Sequence, residues 1–373
     1  MNETDYYEQV RKKLVLGPLY APKHEKIYEL LKIFWNEEEI KILSHFKSAD
    51  QSNSLRELAQ KLGMSRQEIK DKLKNALRKG TISRVGTKYC LLPILPGIFE
   101  QYFIRRKDTK ENLIKAAKIY RFIFKYYTPS FYHDTNFKLF RPRLPLNSKE
   151  KLIDVDQTLD VEQKILSYEL VEEIIDKNEI FSVVPCQCRL IGKYAGEPCS
   201  VAPPELGCFC TGSVAELAIK GGAPKLNKEQ AIEFLKKTEK AGLIHSCVAD
   251  TSNESSLYIC NCCSCHCGVI IHAKQHKNVG ICPSNYIPKW NHDLCTKCDL
   301  CLNKCQMGAI YHKWANESDN SDEYMFLKED FCIGCGVCAS ICPNNAISLV
   351  KIREDVPEEK HKIGNKTFLE LFI

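Results

Sequence analysis

Eight cysteines near the C-terminus carry the strongest chemical signal in this 373-residue chain. Cys295, Cys298, Cys301 and Cys305 form one C-x2-C-x2-C-x3-C run. Cys332, Cys335, Cys338 and Cys342 form a second, followed by Pro343. A C-x2-C-x2-C turn aims three thiolates at one iron–sulfur cubane from a tight loop. Small residues such as Gly334 and Gly336 let backbone N–H groups approach the sulfurs. Zinc is the competing reading. Zinc sites usually present two C-x2-C pairs, whereas these are runs of three plus one, which favours iron–sulfur chemistry.

The tandem resembles the bacterial two-cluster ferredoxin, in which the first three cysteines of each run bind one cubane and the fourth crosses to the other. The resemblance implies one [4Fe–4S] cluster on Cys295, Cys298, Cys301 and Cys342, and a second on Cys332, Cys335, Cys338 and Cys305. The chain departs from that pattern at Gln306, where a proline usually follows the fourth cysteine.

Nine more cysteines stand upstream as candidate metal ligands. Cys186, Cys188, Cys199 and Cys208 supply four thiolates, with Cys210 as a substitute. Cys260, Cys262, Cys263, Cys265 and Cys267 supply five within eight residues. In an extended segment Cys263, Cys265 and Cys267 point to one face, and Cys260 and Cys262 to the other. One strand therefore cannot send all five to a single cubane without a turn. Two sites, or ligands shared with the first group, are both open. His266 is a candidate non-thiolate ligand, which would raise a cluster's potential. Structural zinc is the alternative for the whole block, because soft thiolates bind either metal. Cys247 reads as an ordinary buried residue, and Cys282 is open to the same reading.

The segments Pro185-Cys-Gln-Cys-Arg189, Ala241-Gly-Leu-Ile-His245, Ile259-Cys-Asn-Cys-Cys-Ser-Cys265 and Ser284-Asn-Tyr286, with Cys199 and Cys208, resemble a family of anaerobic 4Fe–4S binding proteins. These pair an upstream cysteine domain with a C-terminal two-cluster ferredoxin module. Leu95-Pro-Gly-Ile-Phe-Glu100 matches the same family. The chain departs from it at His266, where a cysteine is expected, and by adding Cys210. The resemblance implies an architecture more than a reaction.

The elements that must position these residues make an α+β multidomain chain. Residues 1–39 read as an N-terminal helical segment. Residues 40–100 read as a winged helix-turn-helix. There Ile40–Phe46 is the first helix, and Ser54 and Glu57 form a capping box that starts the second, which Gly63 ends. Ser65 and Glu68 open the third, whose Ile69, Leu73 and Leu77 share one face. A hairpin wing turns at Gly86. The third helix would present Arg66, Gln67, Lys70 and Lys74. Residues 101–150 read as a basic, aromatic connector, its rings an apolar core stripe, with Arg141–Pro145 as a linker or docking strand. Residues 151–285 read as a central α/β cysteine-rich metal-binding domain with a long helix from Val161 to Lys177. Residues 286–350 form the ferredoxin module and 351–373 a charged tail.

Of 21 cysteines, 20 lie between Cys186 and Cys342. A disulfide scaffold is the rival, but such scaffolds belong to small secreted domains. The polar start at Met1 and the lack of a long apolar run predict a soluble, cytoplasmic chain with no membrane span. Residues 1–150 carry 30 Lys and Arg against 17 Asp and Glu, a net +13, and the remainder carries 23 against 30, a net −7. The basic half either attracts nucleic acid or an acidic partner, or complements its own acidic half. No Walker A loop, no G-x-G-x-x-G after a strand and no radical S-adenosylmethionine run is present. The expected role is an electron-transfer component of an anaerobic oxidoreductase system, with a redox partner protein and no catalytic residues of its own. A redox-sensing DNA-binding regulator and a reductase with a site-differentiated cluster are the alternatives.

Overall fold

Capping chemistry sets the first helices of the chain. Asn36 and Glu39 exchange hydrogen bonds in a reciprocal capping box that starts one helix, and Ser54 and Glu57 do the same for another. Gly63 and Gly80 end the second and third helices of that region in the left-handed conformation, at φ of 63° and 77°. The computed structural model describes residues 3–135, 138–153, 169–248, 257–277, 279–316 and 321–354. Among them no helix is long and apolar enough to cross a membrane. Most of the helix expected from Val161, and the tail beyond Glu354, lie outside the described residues; from 169 onward the chain is helical at Val171–Asp176.

The described chain divides into two compact units, the first built mainly from residues up to Lys125 and the second mainly from Tyr126 onward. The first unit runs α1 (Glu3–Lys13), α2 (Glu25–Phe34), α3 (Glu37–Leu43), β1 (Asn53–Ser54), α4 (Leu55–Leu62), α5 (Arg66–Lys79), β2 (Ile82–Val85) and β3 (Lys88–Leu91), then α6 (Phe99–Arg105) and α7 (Lys110–Tyr126). Its sheet has the order β1-β3-β2, with β2 and β3 paired as a hairpin. The α5 stripe is buried at Ile69 and Leu73 as its spacing predicts, while Arg66, Gln67, Lys70 and Lys74 are exposed.

The aromatic stripe is core. Tyr102, Phe103, Tyr120 and Phe124 are buried, and Phe99 packs its ring 4.9 Å from Tyr120 and 5.2 Å from Phe124. Those rings enclose a carboxyl: Glu100 accepts a hydrogen bond from the Gly97 N–H at 2.6 Å. Gly97 has φ of 141°, and a Cβ there would crowd Leu92 and Pro93 at 3.3 and 3.2 Å, so glycine suits the turn.

The second unit holds every cysteine of interest. A six-stranded sheet runs β4 (Phe140–Pro142), β9 (Ile244–Val248), β10 (Tyr258–Cys262), β7 (Cys208–Thr211), β6 (Phe181–Val184) and β8 (Lys225–Leu226), in that order. Every pairing in it is antiparallel, so the central domain differs from a parallel α/β winding. Arg141 lies in β4, opposite Cys247, making this segment a docking strand. The C-terminal module has β11 (Tyr286–Trp290) and β14 (Ile347–Lys351) paired antiparallel, and a hairpin of β12 (Ile310–Asn316) and β13 (Ser321–Leu327). Its sheet is completed from far upstream, because β5 (Leu152–Ile153) lies parallel to β14. Module and central sheet share one apolar cluster in which Cys262, Cys267 and Ile270 meet Met307, Ile333 and Val337.

Burial pushes the Glu100 carboxyl from its ordinary 4.5 up to about 7. The folded chain therefore keeps a proton there between roughly pH 4.5 and 7, where the unfolded chain has lost it. Stability should fall by up to about 3 kcal/mol as pH rises through that window. Glu100→Gln should flatten this dependence when thermal midpoints are compared from about pH 5 to about pH 8. A variant whose midpoints track wild type across the range would show that Glu100 is ionised in the folded chain.

Candidate metal centres

The two C-terminal runs fold into the same loop twice. Lys297 and Asp299 in the first occupy the places of Gly334 and Gly336 in the second, with φ of 54°, 62°, 67° and 71°. The second loop needs glycine for space as well. A Cβ on Gly334 would lie 2.2 Å from Ser284 Oγ and from the Tyr286 carbonyl oxygen. The fourth cysteines match too. Cys305 Sγ accepts the Ala309 N–H and Cys342 Sγ the Ala346 N–H, each at 3.3 Å.

Each run delivers three thiols to one cavity and its fourth to the other. Cys295, Cys298, Cys301 and Cys342 line one pocket, walled by Trp290, Met325 and Ile347. Cys305, Cys332, Cys335 and Cys338 line another, walled by Met307, Ile310 and Leu327. Four thiols around an apolar-walled space fit a cubane. Burial pushes Cys301 and Cys332 up to about 11 and Cys335 to about 12. These thiols keep their protons unless a metal replaces them. Cys298 is exposed and Cys338 buried, so the first centre lies nearer solvent.

Upstream, six thiols form a closed ring. Cys186 neighbours Cys188 and Cys208, Cys208 neighbours Cys260, Cys260 neighbours Cys262, and Cys188 neighbours Cys267. Cys267 meets Cys262 at 3.5 Å. Cys186 follows β6, Cys188 rides the helix Gln187–Ala195, Cys208 opens β7, and Cys260 and Cys262 share one face of β10. Gly207 permits the closure, since a Cβ there would lie 2.1 Å from the Val184 carbonyl oxygen.

A second group stands apart from the ring. Cys199 Sγ lies 3.2 Å from Cys265 Sγ and 3.7 Å from Cys263 Sγ, and Cys265 lies 3.5 Å from Cys263. With a ring nitrogen of His266, these donors all fall within 4.8 Å of one another. Arg189 serves both groups. It is fully buried and donates to the Asn261 carbonyl at 2.9 Å and to the Leu206 carbonyl. Burial opposes its charge, but the nearby Cys186, Cys263 and Cys208 sulfurs outweigh that and raise its proton affinity.

Sequence alternation misplaces two cysteines. Cys267 joins Cys260 and Cys262, not Cys263 and Cys265, because β10 ends at Cys262 and the chain then coils so that the Cys267 N–H reaches the Cys263 carbonyl. Cys199 leaves Cys186, Cys188 and Cys208 for the four-donor group. Burial alone pushes Cys210 up to about 12, and Cys247 belongs to an apolar cluster with Phe209 and Ile259. Sequence reasoning missed Glu239, which gave no signal as one of many charged residues on a helix. Its Oε1 contacts His245 Nε2 at 3.2 Å, and His245 Nδ1 lies 2.6 Å from Asn261 Oδ1, between Cys260 and Cys262. Gln306 was visible only as a departure. Its Oε1 accepts the Ser264 N–H at 2.9 Å, which fastens the residue after Cys305 to the turn between Cys263 and Cys265.

Residues 294–346 match the family model of the 4Fe-4S dicluster domain. The chain is 47% identical over 47 residues to an uncharacterized ferredoxin of Methanocaldococcus jannaschii, covering 13% of this chain and 24% of that one. It is 35% identical over 68 residues to the pyruvate synthase subunit PorD of the same organism, covering 18% and 69%. It is 31% identical over 65 residues to an archaeal-type glutamate synthase [NADPH] of Dehalococcoides mccartyi, covering 17% and 12%. The chain thus spans 12% of that synthase and 24% of that ferredoxin. No solved structure matches.

The cavity linings give a direct expectation. Cys342→Ser should damage the centre of the Cys295 run and spare that of the Cys332 run, read by electron paramagnetic resonance of the reduced variant. Loss of the Cys332-run signal alone would reject crossed ligation.

Proposed function

Because this chain belongs to the 4Fe-4S dicluster-domain proteins through residues 294–346, we propose that it is an iron–sulfur electron-transfer component of a cytoplasmic, anaerobic oxidoreductase system. The observation that carries the reading is the pair of cavities, each lined by four thiols. A [4Fe–4S] cluster bound in each supplies reversible one-electron storage without bond making in a substrate. The chain's own residues then have three tasks. Met325, Ile347, Leu327 and Ile310 keep water from the cavity walls, which weights the potential through local polarity. The exposed Cys298 edge is the port for a redox partner protein. Gln306 holds the inner centre's Cys305 against the upstream turn.

The six-thiol ring is the seat for a further iron–sulfur centre. Six thiols exceed the four donors of a single tetrahedral ion, so using them takes a polynuclear centre. Anaerobically purified protein should carry distinctly more than the roughly eight iron atoms of two cubanes, with matching sulfide. It should also take up electrons reversibly in a potentiometric titration. Iron near eight with zinc filling the ring would restrict electron transfer to the C-terminal module. Irreversible bleaching on reduction would reject the electron-transfer reading altogether.

The first unit's α3, α4, α5 and the β2–β3 hairpin are read as a winged helix that docks a protein partner. Gln67 on α5 is engaged by Asp71 at 3.0 Å, and Lys72 by Glu38 at 3.1 Å, so part of the polar surface of this helix is already paired. Glu68 is exposed beside them and repels phosphate. Anaerobic selection against random duplex DNA should yield only weak, sequence-blind binding that vanishes near physiological salt. Recovery of a consensus site bound in one redox state alone would replace docking with gene regulation.

A further inference from the structure

We propose that Cys199, Cys263, Cys265 and His266 hold one mononuclear tetrahedral ion of the zinc class, separate from every iron–sulfur centre of the chain. The distances decide it. A tetrahedral ion with metal–sulfur bonds of about 2.3 Å sets its sulfurs about 3.8 Å apart. The three sulfur separations here are 3.2, 3.5 and 3.7 Å. All four donors lie within 4.8 Å of one another. Four donors suffice for one tetrahedral ion and, unlike the six thiols of the ring, call for no polynuclear centre. The C-terminal thiols instead line two pockets, four to each.

The surroundings suit a closed structural site. Four protein donors leave no position for water or substrate. Cys263 and His266 are buried, while Cys199 and Cys265 are half-buried on a small apolar cluster with Ala202 and Leu243. Three thiolates, a neutral imidazole and a divalent ion sum to one negative charge. The buried Arg189 guanidinium lies near enough to Cys263 to offset that charge. Gln306 Oε1 accepts the Ser264 N–H, so an outer contact fixes the turn that carries the donors. The ion's task is to staple the loop before Ala202 to the turn that also presents Cys262 and Cys267 to the six-thiol ring. His266, where the resembling family has cysteine, keeps the complex less anionic beside that ring.

The test uses the full chain purified anaerobically from cells supplied with both iron and zinc. Zinc K-edge absorption should show about one zinc per chain, with three sulfurs at about 2.3 Å and one nitrogen at about 2.0 Å, and no second metal scatterer. Cys265→Ser should lose zinc by tenfold or more while keeping its iron and sulfide. His266→Cys should keep zinc in a four-sulfur shell. A zinc-free wild type whose iron falls on Cys265→Ser would overturn the proposal and assign these thiols to a cluster. A wild-type shell of four sulfurs would overturn the role of His266. The absorption edge of the wild type decides the matter even where a variant fails to fold. Iron content and reversible reduction are read separately, so failure here is distinguishable from failure of the electron-transfer reading.

Discussion

Thiolates packed inside a protein repel one another, and the second unit is arranged around that constraint. A buried thiol keeps its proton unless a cation shares its charge, as the raised values at Cys301, Cys332 and Cys335 show. The chain therefore places these thiols in mutual contact or around pockets only where a charge balance is at hand. At the C-terminus backbone N–H groups of Ala309 and Ala346 reach the sulfurs of Cys305 and Cys342. Upstream the balance comes from Arg189, fully buried between the ring and the four-donor group. An isolated buried guanidinium is costly, and it is tolerated here because it is surrounded by sulfur and by two carbonyl acceptors. Removing its charge would leave the thiolates unshielded in both groups at once.

Legibility in the sequence follows the range of the interactions. The C-terminal module was readable because its ligand geometry is local. Three thiols sit on one loop, and the pattern of left-handed residues repeats in both loops. The capping box at Ser54 was readable for the same reason, since both partners lie within four residues. The upstream sites were not, because they are assembled by strand order. Cys208 meets Cys186 through antiparallel pairing of β6 with β7, and meets Cys260 through pairing of β7 with β10. No spacing rule encodes that neighbourhood. Period-two alternation served for Cys260 and Cys262 and stopped where β10 stopped.

Departures from pattern proved as informative as matches. His266 and Gln306 each replace a residue expected at a neighbouring ligand position, and each reaches into the same turn. His266 adds a nitrogen donor to Cys199, Cys263 and Cys265. Gln306 gives up the rigid φ of proline for a side chain that accepts the Ser264 N–H. A proline at that place would leave this buried-side donor without its side-chain partner, a loss worth on the order of 1–3 kcal/mol.

The same turn is tied to the module along a second route. Ser340 donates to Glu239 at 3.3 Å, Glu239 meets His245, and His245 meets Asn261 between the ring thiols Cys260 and Cys262. Asn261 in turn donates to the Gly207 carbonyl at 2.6 Å, beside Cys208. Hydrogen bonds of this kind are strong only when each member is satisfied, since an unpaired buried polar group costs more than a pair contributes. The module's helix at Ser340 and the ring at Cys260 are thus held to one geometry by a fully engaged polar chain, while Gln306 fixes the opposite side through Ser264. Under the proposed electron-transfer role, passage depends steeply on separation, and two independent polar ties between the module and the ring would fix that separation better than apolar packing alone.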